Sequence, residues 1–452
     1  MATWGRGRHI LPSVRSVLAQ EGVAFELLVV GDACDDDTEA VLAPLLSGRV
    51  RWLNLPQRMG SQSGPNMAGI AAARAPLIAY LGHDDLWEPF HLADMVALFD
   101  ADPGLDFAVG GVIYHLPHGI PGTPVTGLFA PGSDVAGMFF PPSCFAHRRE
   151  VIGRIGGWRA PDTISDPVDA DLLRRAYAAG ARFGSNQRIS VHKFAAGHRY
   201  LSYLRQDSAE QEAMAARMRL PGHAEAVAQM VEQARSLHSF MRTRLPPDTT
   251  APPGERAREN RIRKGLDRPA PQALGRGMLI RPEPSFCALD WQDLPEAGIR
   301  WAKRSPRPKV LLPCHGTGRA LMQMVLAHDQ PEDLAEIALR CDGVPVEAMP
   351  LSGWTAGDGT ARRLFRAVVP LRPDGPAVLD LILTPGQCPA PGQRGLGRRG
   401  IGLGDIALVR AAAGTGRGAG LGSLWAERVN NARLHRLRRE LSRAGEVSAA
   451  IP

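Results

Sequence analysis

The strongest constraint in this 452-residue sequence is a pair of apolar runs that each end on aspartate. Phe25-Glu26-Leu27-Leu28-Val29-Val30 leads into Gly31-Asp32, and Leu77-Ile78-Ala79-Tyr80-Leu81 leads into Gly82-His83-Asp84-Asp85. Both read as strands buried on two faces. Segments of helical period surround them. Ile10, Val14, Val17 and Leu18 recur at helical spacing. Asp35-Asp36-Asp37-Thr38 offers N-cap residues for a helix through Leu46. Residues 64–74 read as a small-residue helix, and Trp87 to Asp100 as a helix with Pro89 in its first turn. Val50-Arg51-Trp52-Leu53 adds a short strand. Strands alternating with helices predict an α/β fold with a mainly parallel sheet and helices on both faces. Such sheets bind ligands beyond the carboxyl ends of their strands, where Asp32, Asp84 and Asp85 stand.

The rest of the chain divides by composition. Residues 1–200 carry the βα pattern. Residues 201–275 are helical and polar, then Pro-rich and basic. Residues 276–412 hold short apolar runs near 309–313, 319–326, 334–340, 363–370 and 376–384. Asp342-Gly343 and Asp374-Gly375-Pro376 punctuate them, which predicts an antiparallel sandwich. Residues 413–452 are a Gly/Ala-rich segment and a basic helix. The net charge of +7 comes largely from 254–268 and 428–443, not from the first hundred residues. The six cysteines form no CxxC pair, which excludes a zinc ribbon or redox dithiol and fits a reducing compartment. No run has transmembrane length and the N-terminus lacks a signal-peptide core, so a cytoplasmic location is expected. The last helix sets Leu424, Val429, Leu434, Leu437 and Leu441 among arginines. It can lie peripherally on the inner face of an anionic membrane, or it can be a solvated or packing helix. No aromatic motif accompanies it, so no nucleic-acid partner is expected.

Adjacent carboxylates such as Asp84-Asp85 repel one another and invite a cation; hard oxygen ligands suit magnesium or manganese. Taken alone, the same pair serves equally as a helix cap.

In its wider context, the series SVLAQ (16–20), FELLVVGD (25–32), DDDT (35–38), IAYLGHDDLWEP (78–89) and GGWR (156–159) resembles the family 2 glycosyltransferases of the GT-A fold, over roughly residues 3–200. The resemblance implies a nucleotide-diphosphate-sugar donor (UDP-sugar favoured), a divalent metal (Mn or Mg) and inversion at the anomeric carbon. It places Asp32 on the nucleobase edge and Trp4, within Thr3-Trp4-Gly5-Arg6, stacked on the base. Thr3 and Arg6 belong to the same donor motif. Arg6 faces phosphate or ribose, or is an exposed surface cation. Asp85 takes the metal and Asp84 orients the ribose or the metal shell. The general base falls at the start of the helix after GGW: Asp169, with Asp171 as the alternative and Asp166 a cap. His192 and His198 are metal or diphosphate ligands, or exposed loop histidines. The acceptor is a glycan, lipid-linked or other hydroxyl compound.

The sequence departs from the family in three places. Only Met1-Ala2 precede Thr3, where the family has a central strand. Its absence would leave two neighbouring strands with unpaired backbone groups. The expectation is a misplaced start or a longer native chain. Gly31 stands where the family has the first acid of a pair, and Gly82 lacks the first acid of D-x-D-D. Val168 also fills an acidic slot beside Asp169. Such departures keep open a non-catalytic sugar- or nucleotide-binding protein on a degenerate scaffold. A nucleotidyltransferase would need a Gly-rich phosphate loop near the first strand, which the sequence lacks. Trp291, Trp301 and Trp354 in the sandwich are core residues or sugar-stacking surfaces.

Overall fold

A computed structural model describes residues 1–116, 123–194, 203, 206–241, 243–246, 252–263, 266, 271–275, 277–281, 291, 296, 298–302, 307–373, 375–384, 387 and 400–411. The basic C-terminal helix, with its membrane contact, and His198 lie outside the described residues. Among the described residues no helix is long and apolar enough to cross a membrane. The chain divides into two compact units, Met1–Asn260 and Arg261–Pro452.

The first unit follows the βα pattern. Strands β1 (Ala2–Thr3), β2 (Leu27–Gly31) and β3 (Val50–Asn54) form a parallel sheet in the order β1-β2-β3. All five residues of β2 are buried, as an apolar run covered on both faces requires. Helices α1 (Leu11–Leu18) and α2 (Thr38–Leu42) connect these strands, and α3 (Ser63–Ala72) follows β3. Pro12 stands in the first turn of α1, where its missing N–H costs nothing. The helix expected through Leu46 is shorter, because Pro44 tightens Ala43–Leu45 into a 3-10 turn.

A second, mixed sheet follows. Its strands are β4 (Leu77–Ala79), β5 (Leu86–Trp87), β6 (Phe107–Tyr114), β7 (Val125–Thr126), β8 (Phe145–Arg148) and β9 (Phe183–Lys193). The order is β4-β8-β6-β9-β5, with β7 on β6. Only β6 and β9 pair in parallel, so the mainly parallel arrangement holds for the first sheet and not for the second. The helix expected from Trp87 starts later, as α4 (His91–Ala101), because Leu86 and Trp87 pair with His192 and Val191 on β9. Helices α5 (Val151–Ile155) and α6 (Val168–Ala178) precede β9, and α7 (Ala209–Arg217) and α8 (His223–Ser236) follow it. Val29, Phe107, Val109, Phe145, Leu172 and Val191 are wholly buried in one core.

The two sheets do not join. β1 ends after two residues, and β4 hydrogen-bonds only to β8. Between β2 and β4 lies a cavity of about 250 Å³, lined by Met1, Leu28, Val30, Ile78, Leu81 and Ala146 among others. The Met1 amine donates to Leu28 O at 2.8 Å, and burial pulls its pKa down to about 5.

The second unit is a pair of antiparallel sheets. One orders Met278–Ile280, Gly402–Arg410, Arg319–His328, Ala361–Pro370 and Ala348–Thr355; the other orders Lys309–Leu312, Ala377–Ile382, Ala338–Cys341 and Val344–Val346. Met322, Met324, Phe365, Leu379 and Leu381 lie at its core. Asp342 and Gly343, both at positive φ, make the two-residue turn of one hairpin. Trp291 and Trp301 are buried, so neither offers a surface for a sugar; Trp354 is half-buried.

Candidate functional site

The carboxyl ends of β1 and β2 and the turn after β4 converge. Asp32 N donates to Thr3 O, and Thr3 Oγ1 lies 3.1 Å from His83 Nδ1. His83, to which the sequence gives no role, thus ties the first strand to the acidic turn. The Asp32 carboxylate is buried and accepts from Met59 N at 2.7 Å and Gly60 N at 2.8 Å. The same loop brings Arg58 over Trp4, with the guanidinium carbon 3.5 Å from the ring centroid. Thr3, Trp4, Asp32 and Asp84 therefore form one continuous patch. Arg6 is buried at the start of a short 3-10 helix, which corrects the reading of an exposed cation. Its backbone N–H donates to Thr38 Oγ1, from the DDDT segment.

The two glycine departures are sites of close approach. A Cβ on Gly31 would lie 2.5 Å from Asn54 Oδ1, and one on Gly82 would lie 2.8 Å from Asp85 Oδ2. Gly82 N donates to Ser143 Oγ, which in turn donates to Asp85 Oδ2 at 2.5 Å. Ser143 comes from the Pro142–Cys144 turn.

Asp85 is completely buried, and both its oxygens are taken. Oδ1 accepts from Phe194 N at 3.0 Å; Oδ2 accepts from Lys193 Nζ at 2.8 Å as well as from Ser143. Burial works against the Lys193 charge, but Asp85 and then Asp84 outweigh it and drive its pKa upward. An ammonium therefore stands where a divalent ion bound to Asp85 would have to be. With both oxygens accepting from protein donors, the Asp85 carboxylate does not fit a metal ligand in this arrangement. Asp84 is half-buried; its carbonyl accepts from Gln211 Nε2 of α7.

His192 faces away from Asp85. Side chains alternate along a strand, so Lys193 facing Asp85 sends His192 the other way. There His192 Nε2 meets Glu88 Oε1 at 2.8 Å and His192 Nδ1 meets His115 Nε2 at 2.9 Å.

Asp169 and Asp171 open α6, where acids suit the helix dipole. They are not equivalent. Asp171 Oδ2 takes Arg175 Nε at 3.0 Å and Nη2 at 2.6 Å, and Arg175 also donates to Ile155 O and Gly157 O. A carboxylate clamped in this way braces the GGW turn. Asp166 pairs with Arg174. Asp169 is half-buried and, with Lys193, Cys144 and Asp85, acts on the hydroxyl of the half-buried Tyr114, whose pKa desolvation drives upward. Asp169 thus shares its neighbourhood with Asp85 and Lys193. Trp158 of GGW is structural: its Nε1 donates to Tyr80 OH at 3.0 Å, which lies 2.7 Å from His147 Nε2.

Residues 1–152 match the profile of glycosyl transferase family 2. The succinoglycan biosynthesis protein ExoO of Rhizobium meliloti is 39% identical over 101 residues, covering 22% of this chain and 29% of that protein. An uncharacterized glycosyltransferase of Nostoc sp. is 29% identical over 117 residues, covering 26% of this chain and 35% of that one. A protein of Mycobacterium tuberculosis is 34% identical over 105 residues, covering 23% and 32%. The chain thus spans about a third of the length of the curated relatives it matches. Among solved structures, Staphylococcus aureus TarS with UDP-GlcNAc gives a TM-score of 0.36 at 14% identity over 52% of this chain and 72% of that one. The Pyrobaculum calidifontis mannosyltransferase PcManGT, with GDP-Man and Mn2+, gives 0.33 at 16% identity over 52% and 73%. Those structural likenesses are too weak to bear on the site. The family match covers the strand ends and acidic turn described above, so it is over residues 1–152 that this chain is similar to glycosyl transferase family 2.

Proposed function

We propose that the first unit transfers a sugar from a nucleotide-diphosphate donor, UDP-linked by preference, to a glycan, lipid-linked or other hydroxyl acceptor with inversion. The observation that carries this reading is the family match over residues 1–152, whose motif residues converge on one patch. Trp4 stacks on the base, an aromatic face suited to that contact, after Arg58 swings aside. Asp32 holds the base edge, and Thr3 and Asp84 hold the ribose side. Asp169 accepts the proton of the acceptor hydroxyl as its oxygen attacks the anomeric carbon, and the bond to the nucleotide diphosphate breaks on the opposite face. Lys193 is the cation at this turn and meets charge growing on the leaving group.

A second reading is a nucleotide- or sugar-binding protein without turnover. It is favoured by the full occupation of Asp85 and by Arg58 lying over Trp4. Incubating the full chain with a panel of nucleotide-sugars, with and without acceptor glycans, separates the two. Release of nucleotide that Asp169→Asn suppresses supports transfer. Donor binding in calorimetry, weakened by Trp4→Ala and without nucleotide release, supports binding alone. Neither binding nor release would overturn both.

A further inference from the structure

We propose that Glu88, His192 and His223 form a buried site for a zinc-class divalent ion, separate from the sugar-transfer patch. Their ligand atoms all lie within 4.8 Å of one another, the one such group of three among the described residues. Glu88 Oε1 receives both imidazoles, His192 Nε2 at 2.8 Å and His223 Nε2 at 2.6 Å. Three elements supply them: Glu88 follows β5, His192 lies on β9 and His223 opens α8. Glu88 and His192 are buried, and His223 keeps 14% of its side chain exposed, which gives an ion a way in.

The chemistry fits zinc better than magnesium or manganese. Two imidazole nitrogens and one carboxylate oxygen are the donor types zinc takes, with water completing a tetrahedron. Tetrahedral ligand atoms about 2.0–2.2 Å from the ion stand about 3.3 Å apart. The two nitrogens would therefore retreat from Oε1 by roughly half an ångström, within reach of small side-chain rotations. The supporting contact is also present. A metal-bound imidazole donates its other N–H to a fixed partner, and His192 Nδ1 already has His115 Nε2 at 2.9 Å. A dication would neutralise a carboxylate held out of water.

The site is structural. Glu88 lies three residues after Asp85, and His192 directly precedes Lys193, so an ion here would fix both ends of the Asp85–Lys193 pair. It would also fasten α8 to the β5–β9 ladder. The inference stands whether or not the chain transfers sugar.

The test uses untagged full-length chain, equilibrated with micromolar zinc and desalted. Wild type should retain about one equivalent of zinc by elemental analysis. His223→Ala and Glu88→Gln should retain less than a tenth of it, and the exposed His238→Asn the full amount. Cobalt in place of zinc should give the visible absorption of a tetrahedral site in wild type and not in His223→Ala. Zinc should raise the unfolding temperature of wild type and leave that of His223→Ala unchanged. A wild type with neither zinc nor a cobalt spectrum would overturn the proposal, even if the variants fail to fold. Equal retention by folded His223→Ala would overturn it too.

Discussion

Lys193 Nζ stands 2.8 Å from Asp85 Oδ2, at the point where the acidic turn meets the last strand of the mixed sheet. Asp85 is wholly buried and Lys193 keeps 22% of its side chain exposed. Removing one partner strands the other charge, at a cost of about 3–5 kcal/mol for a fully buried pair. Solvent at Lys193 reduces that to about 2 kcal/mol for Asp85→Asn. Lys193→Met should cost a similar amount, because it leaves the carboxylate behind. The double variant should lose less than the sum of the two, by at least about 1 kcal/mol. Additive losses in urea unfolding would show that the pair is not coupled.

The cation at this turn also bears on metal dependence. With Lys193 in place, donor turnover should stay within about twofold when manganese and magnesium are omitted and zinc is kept, a difference under about 0.5 kcal/mol in barrier. A hundredfold stimulation by manganese would mean that an ion displaces Lys193 from Asp85.

β1 runs parallel to β2 with Ala2 opposite Val30 and Thr3 opposite Gly31. A designed extension ahead of Met1 would continue that direction into the cavity beside Leu28 and Ile78. It would also remove a buried amine whose pKa burial pulls down to about 5. Five β-branched apolar residues should stabilise the chain by at least about 1 kcal/mol, raising its melting temperature by roughly 2–4 °C. Five Gly/Ser residues should not. Equal rises for the two extensions would rule out strand insertion.

His147 is buried, 2.7 Å from Tyr80 OH, with Nδ1 donating to Arg148 O. Burial lowers its pKa from 6.5 to about 4, against the raising effect of the Arg148 carbonyl. The unfolded chain therefore takes up this proton from pH 6.5 downward, while the folded chain resists until about pH 4. Stability should fall as the pH drops through that window and level off below it. At about 1.4 kcal/mol per unit, the loss between pH 7 and 5 is about 2 kcal/mol. His147→Gln should flatten this part of the curve in urea midpoints, and an unchanged slope would place the proton elsewhere.

The acidic strand ends were legible because burial and alternation are local. An apolar run ends where the chain leaves the core, and polar residues gather there. The antiparallel strands of the second unit were legible for the same reason, through turns such as Asp342-Gly343. What the sequence hid is pairing across distance. Nothing near Trp87 announces that Leu86 and Trp87 pair with β9, so a helix was expected there. Nothing near Asp85 names Lys193 or Ser143 as its partners. The period-two rule did hold a clue: in Val191-His192-Lys193-Phe194, His192 and Lys193 must face opposite ways, so the two cannot both serve Asp85.

Asp169 and Asp171 are two residues apart on one helix turn, yet their surroundings assign them different work. Asp171 is clamped by Arg175, which also holds Ile155 O and Gly157 O. Asp171→Asn weakens that clamp and should cost about 1–3 kcal/mol of stability, with turnover per folded molecule little changed. Asp169 is half-buried and close enough to act on the Tyr114 hydroxyl, where we assign it the role of base. Asp169→Asn keeps the shape and removes the proton acceptor, so kcat should fall by about 10²–10⁴ with donor binding and melting temperature nearly unchanged. Paired measurements of kcat, donor affinity and unfolding on the two variants distinguish the roles. If Asp171→Asn lost the turnover and Asp169→Asn the stability, the assignment of the base would have to be reversed.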